Sequence, residues 1–274
     1  WVSGFSLLLV VYYFNAQAML VDPNVLNISS FAAITIGVGS FAVAWVLYDL
    51  LCKSPLIRQP VAFALVGFAL LTAFAYAYAH LFNARAAYIH FGAMIGSLMA
   101  GNVFFVIIPS QKAMVAAARL GKPVDPAIGK KALARSLHNN YFTLPVLFVM
   151  VSNHFPSTFG HPWSWAVLAA ISLGTAGVKH YLNLKEKGQY NVYILPVSVL
   201  LLLSVAFITA PAKPEDACSK TVSFKQVESI IQQRCASCHA ARPTDDVYTA
   251  PPNGVVYDAP QDIVKMKDKS MQRV

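Results

Sequence analysis

Charge is what this sequence has least of. Of 274 residues only 12% are Asp, Glu, Lys or Arg, while 57% are hydrophobic and the mean hydropathy is +0.53. A soluble domain carries roughly twice that charged fraction, so the larger part of the chain is expected in lipid. Also lacking is a secretory signal with a basic leading region: Trp1 runs straight into an apolar stretch without an initiator Met. That start reads as a removed segment or a position partway along a longer protein. The formal net charge of +9 would suit nucleic acid, but most of the basic residues sit in short loops between apolar runs. There they orient a protein in a bilayer, which argues against a nucleic-acid partner.

About 20 mainly apolar residues cross a bilayer as a helix. Seven segments meet or approach that length: Val2–Leu20, Phe31–Leu51, Val61–Phe82, Tyr88–Pro109, Asn140–Phe155, Trp163–Leu182 and Val192–Ala210. The fifth is short, and it could start earlier, through the amphipathic stretch Ala127–Leu137. One set of alternating loops holds Lys53, Arg58, Lys112, Arg119, Lys122, Lys130, Lys131, Arg135, Lys185 and Lys187; the other holds only Arg85. Basic loops stay in the cytoplasm, so Trp1 is expected inside and everything after Ala210 outside. Trp45, Tyr48, Tyr88, Trp163, Trp165, Tyr190 and Tyr193 fall near headgroup depth, as interfacial aromatics do. The expected architecture is an all-α integral membrane domain over 1–210, a polar linker over 211–222 and a short helical segment over 223–274.

That last segment carries the sharpest motif. Ser223 and Gln226 have capping-box spacing, and Phe224, Val227, Ile230 and Ile231 form one apolar helix face. The helix leads into Cys235-Ala236-Ser237-Cys238-His239. Two cysteines three apart can form thioethers to both haem vinyl groups, and the adjacent His then ligates the iron, so the motif reads as c-type haem attachment. A thioredoxin-like dithiol would need a surrounding βαβ pattern, and a zinc site a second Cys/His pair; the sequence shows neither. Met266 and Met271 follow within a few turns. Met266 shares an apolar face with Ile263, which favours packing, and the distal ligand is expected beyond Val274. Cys52 reads as packing at a helix end, and Cys218 has no assignable role.

Polar side chains within spans are costly in lipid and therefore candidates for function. His80, His90 and His154 fall near the outer ends of the third, fourth and fifth spans, and His138 and His180 near the inner ends of the fifth and sixth. Two sets at matched depths could ligate a b-type haem or another metal, or bind a substrate; an interfacial His bonded to water or headgroups is the bland alternative. Asn15, Gln17, Asn102, Asn139 and Asn140 suit interhelical hydrogen bonding, and Asp49 and Lys179 suit snorkelling or pairing at inner ends.

Arg135-Ser136-Leu137-His138-Asn139-Asn140-Tyr141, with Thr143-Leu144-Pro145-Val146-Leu147-Phe148 and Ser152-Asn153-His154, resembles a segment of the bacterial membrane-bound urate oxidases. Asn102-Val103-Phe104-Phe105-Val106-Ile107-Ile108-Pro109 and the opening Trp1-Val2-Ser3-Gly4-Phe5 are similar to that family too. The resemblance implies a multi-helix domain in the bacterial inner membrane fused to a periplasmic cytochrome c. It also implies oxidation of urate to 5-hydroxyisourate without hydrogen peroxide, and electrons leaving through the haem to a soluble cytochrome c or terminal oxidase. Members carry a further N-terminal membrane segment with its own histidines and a Thr-Met-Pro stretch beyond the equivalent of Val274. On this reading His138, Asn139, Asn140 and His180 are the expected substrate groups on the cytoplasmic side. Cys235, Cys238 and His239 would hold the haem, with His80, His90 and His154 as intramembrane ligands or relay. Two other classes stay open: an electron-transfer subunit anchoring a cytochrome c beside an oxidase, and a quinol-oxidising membrane cytochrome with b-type haem.

Overall fold

The computed structural model describes residues 1–211, 222–244 and 250–267. Contacts divide the chain into two compact units, Trp1–Ala210 and Pro211–Val274. Every regular element among the described residues is helical, apart from one isolated bridge between Asp22 and Leu26.

In the first unit α1 (Val2–Leu8) widens into a π-helical turn, Leu9–Tyr13. The chain then breaks at Asn15, whose φ of −125° and ψ of 55° leave the helical region, before the single turn α2 (Ala16–Met19). The apolar run Val2–Leu20 is therefore two helical pieces. α3 (Ser30–Lys53) starts where the Ser29 hydroxyl accepts the Ala32 amide at 3.2 Å, the N-cap role that Ser favours. α4 (Pro60–Leu81) has Pro in its first turn, where a missing N–H is harmless. α5 (Ala84–Gly101) is capped by Asn83 and passes through a π-helical segment, Asn102–Ile107, into α6 (Ile108–Arg119). α7 (Pro126–Val151) is capped by Asp125 and has Pro at its start. The single turn α8 (Pro156–Phe159) precedes α9 (Ser164–Glu186) and α10 (Ile194–Ile208).

Three stretches among the described residues are long and apolar enough to cross a membrane: Ser30–Lys53, Pro60–Leu81 and Ala84–Arg119. They contain or overlap the second, third and fourth expected spans. Val2–Tyr13 and Ile194–Ile208 are apolar but shorter. α7 and α9 have the length, at 26 and 23 residues, but their ends are polar. Lys130, Lys131 and Arg135 crowd the start of α7, and Lys179, Lys185 and Glu186 the end of α9. Outward-facing side chains are largely apolar, as with Phe31, Leu65, Phe105, Leu200 and Phe207, a surface compatible with lipid.

α5 is the centre of this unit, packing against α3, α4 and α7, while α9 packs against α4, α7 and α10. Tyr88, His90, Phe91, Met94 and Ile95 of α5 are each at most 2% exposed. Close approach to α7 rests on Gly92: a Cβ there would come within 2.5 Å of Val149 Cγ1.

In the second unit α11 (Phe224–Arg234) opens with the expected capping box, the Ser223 amide donating to Gln226 Oε1 at 3.0 Å. The single turn α12 (Ala236–His239) and α13 (Pro260–Lys265) follow. Cys218, Met271 and all but the ends of the 211–222 linker lie outside the described residues.

Candidate functional site

Polar side chains of α3, the π segment and α7 meet in one cluster. On α7, Arg135, His138 and Asn139 stand at i, i+3 and i+4, so helical periodicity puts them on one face. α3 presents Tyr48, Asp49 and Cys52. Asn102, 0% exposed, lies at the start of the π segment; such segments recur at functional sites.

Arg135 is 2% exposed. Its Nη2 donates to Asp49 Oδ1 at 2.6 Å and its Nη1 to Asn102 Oδ1 at 3.1 Å. The guanidinium carbon lies 4.8 Å from the Tyr48 ring centroid, a cation–π distance. Asn102 Nδ2 donates to Tyr48 Oη at 2.9 Å and to Asn139 Oδ1 at 2.8 Å. Asn139 Nδ2 in turn donates to the Met99 carbonyl at 3.0 Å. Tyr48 Oη lies 2.8 Å from His138 Nδ1, and the His138 ring stacks on Phe63 with centroids 4.8 Å apart. Asp49 also pairs with Lys53, whose side chain is 64% exposed, a setting in which ion pairs stabilise little.

The expected substrate residues are thus distributed. His138 and Asn139 share the cluster just described. His180 is exposed, and its Nδ1 lies 2.6 Å from Tyr141 Oη, one turn along α7 from His138. Asn140 sits about 200° round α7 from His138, on the opposite face, with its Oδ1 buried and unpartnered among the described residues. The Nδ2 of Asn183 on α9 is in the same state. Arg135, counted above with the loop charges, is instead interior, and its role together with that of Tyr48 was missed. The signal available was the i, i+3, i+4 spacing of Arg135, His138 and Asn139.

His90 is 0% exposed. Its Nδ1 pairs with the Ala86 carbonyl at 2.9 Å and its Nε2 with Tyr13 Oη at 3.0 Å. Rings of Tyr12, Phe41, Tyr78 and Phe82 surround it. His80 is exposed, its Nδ1 on the Tyr76 carbonyl at 2.8 Å, and His154 is exposed too. Among the described residues no group of three or more His, Cys, Asp or Glu side chains is placed to hold a metal ion.

In the second unit Cys235 precedes α12, and Cys238 and His239 lie on it; neither cysteine is in a disulfide. Burial pushes the Cys235 thiol above its ordinary range. His239 Nδ1 lies 3.0 Å from the Val255 carbonyl. A carbonyl can only accept, so Nδ1 carries the proton and Nε2 keeps its lone pair. The Tyr257 amide donates to the His239 carbonyl at 2.8 Å, which ties this turn to the following loop. Orientation of a ligating imidazole by a carbonyl on its other nitrogen is the usual arrangement at an iron or zinc centre. The donor set therefore fits a covalently held haem, which Cys235 and Cys238 would attach and His239 Nε2 would ligate. Met266 is half-buried at the C-cap of α13.

Among the described residues, these features define a helical protein with three stretches long and apolar enough for a membrane, a buried Arg–Asn–Tyr–His hydrogen-bond chain and a Cys-x-x-Cys-His turn. The chain belongs to the urate oxidase N-terminal family, whose model matches residues 1–210. No curated protein and no solved structure matches it.

Proposed function

We propose that this chain oxidises urate within a bacterial inner membrane. Trp1–Ala210 would cross the bilayer about seven times, and Pro211–Val274 would face the periplasm with a c-type haem on Cys235, Cys238 and His239. The observation that carries the reading is the family match over residues 1–210. The buried polar chain beside an open imidazole edge at His138 supports it.

The reaction balances as urate plus water giving 5-hydroxyisourate, two protons and two electrons. Urate is a planar, oxygen-rich anion, so its site calls for N–H donors held in a plane. His138 and, one turn along α7, the Tyr141–His180 pair would supply such donors. Asn139 has its amide committed to Asn102 and Met99 and keeps the frame in register. A haem held by Cys235, Cys238 and His239 would supply one-electron acceptance, with a soluble cytochrome c or terminal oxidase as the partner that would take the electrons. His239 holds its lone pair ready for the iron through the Val255 carbonyl.

The test is anaerobic addition of urate to purified full-length protein while the haem absorbance is followed. Reduced c-type haem is expected on mixing. No reduction would sink the proposal. His138→Ala and His180→Ala are each expected to slow that reduction by roughly tenfold or more, the loss of one donor to a charged ligand being worth about 1.5–3 kcal/mol.

A further inference from the structure

The hydrogen-bond chain between the end of α3 and the first half of α7 takes its direction from Arg135. A guanidinium carries five N–H donors, no acceptor, and does not lose its proton in proteins. The atom of Asn102 that meets Arg135 Nη1 at 3.1 Å must therefore be the carbonyl oxygen. That settles an amide orientation which coordinates ordinarily leave open. The other end of Asn102 is then the NH2 group, whose two hydrogens go to Tyr48 Oη at 2.9 Å and Asn139 Oδ1 at 2.8 Å. Asn139 agrees: its oxygen receives and its own NH2 donates to the Met99 carbonyl.

Tyr48 has one hydrogen, its oxygen already accepts from Asn102, and His138 Nδ1 at 2.8 Å is its nearest nitrogen; we take that hydrogen to go to Nδ1, with Cys52 as the competing acceptor. Cys52 Sγ lies 3.8 Å from the same nitrogen, and a thiol there is a second, weaker donor. On that arrangement Nδ1 is an acceptor, and a neutral imidazole with an acceptor at Nδ1 carries its proton on Nε2. Phe63 fixes the plane of the ring. Nε2 makes no hydrogen bond to any described residue.

We infer that Arg135, acting through Asn102 and Tyr48, holds His138 in its Nε2–H tautomer, so that His138 meets the substrate as a fixed N–H donor to an oxo or oxyanion group of a planar heterocyclic anion. Arg135, Asn102 and Tyr48 are positioning residues, and of these four side chains only His138 touches the ligand. A ring so arranged has no lone pair at Nε2, so the protons released in the reaction go to water or another base. The ligand half of this inference rests on the urate reading; the tautomer half does not.

Nitrogen NMR of full-length protein labelled with 15N-histidine in lipid nanodiscs tests the tautomer, with His138→Gln identifying the resonances. The expected spectrum shows His138 with Nδ1 unprotonated and Nε2 protonated. In Tyr48→Phe and Asn102→Ala, a mixture of tautomers is expected, with unchanged helical circular dichroism as the check on folding. A proton on Nδ1, or an unaltered spectrum in folded Tyr48→Phe, would overturn the inference. Urate titration tests the ligand. His138→Gln keeps an amide N–H and should bind urate within about threefold of wild type, whereas His138→Leu should bind roughly tenfold more weakly. If Gln is as poor as Leu, the donor role is wrong. If the wild type binds no urate, the urate assignment falls, while the spectrum still decides the tautomer.

Discussion

Arg135 shows how one side chain organises a whole polar cluster. A buried guanidinium is tolerable only when its donors and its charge are answered, and here Asp49, Asn102 and the Tyr48 face answer them. Removing Arg135 leaves two groups short: the Asp49 carboxylate loses its buried partner, and Asn102 Oδ1 is left unpaired at zero exposure. Arg135→Met should therefore lower unfolding free energy by roughly 3 kcal/mol, within the range for breaking a buried pair. Lys53→Ala, which removes only the exposed partner of the same carboxylate, should change it by less than about 1 kcal/mol. Thermal denaturation in detergent ranks the two, and equal losses would mean that burial of Arg135 is not what matters. Arg135→Lys should resemble Met more than wild type, because an ammonium cannot reproduce the two-pronged reach to Asp49 and Asn102. The face shared by Arg135, His138 and Asn139 was readable from spacing alone. That Tyr48 and Asn102 would complete it was not, because spacing within one helix does not say which residue of another helix it will meet.

Helix ends follow local chemistry more closely than they follow hydropathy. A span beginning at Asn140 is what apolar content suggests. The helix begins at Pro126 because Asp125 accepts the Ala127 amide at 2.8 Å and Pro fits the first turn. In the same way Val2–Leu20 has the length of one span, yet its helix breaks at Asn15, whose backbone leaves the helical region. Packing between elements adds a constraint that neither signal carries. Gly92 on α5 faces Val149 on α7, and an added Cβ would stand 2.5 Å from Cγ1, closer than real side chains come. Gly92→Ala should destabilise the first unit by about 1–3 kcal/mol through overpacking. Val149→Ala should recover part of that loss when the two are combined, since contacting sites couple. Additive losses in the double variant would show that the α5–α7 approach is not the cause.

At the scale of the whole molecule, the two units were visible in the sequence as a change of composition after Ala210 and as the Cys-x-x-Cys-His spacing. The reach of the Val255 carbonyl to His239 was not, since the two residues stand sixteen positions apart in the sequence. If that contact orients the proximal ligand, the two halves of the motif should separate by variant. Cys235→Ser and Cys238→Ser remove thioether bonds, and the double variant should show no haem on a denaturing gel. His239→Ala should keep the covalent attachment and lose the normal axial-ligand spectrum. The proposed reaction then imposes a stoichiometry. Urate oxidation releases two electrons, and one Cys-x-x-Cys-His motif provides a single one-electron acceptor per chain. With protein in excess and oxygen absent, two ferric haems should be reduced for each urate consumed, the second electron passing to the haem of another chain. A ratio of one would mean that half the electrons stop elsewhere, in a redox group within the helical unit or in the product. That outcome would leave urate oxidation standing but would require a second acceptor between the Trp1–Ala210 unit and the haem.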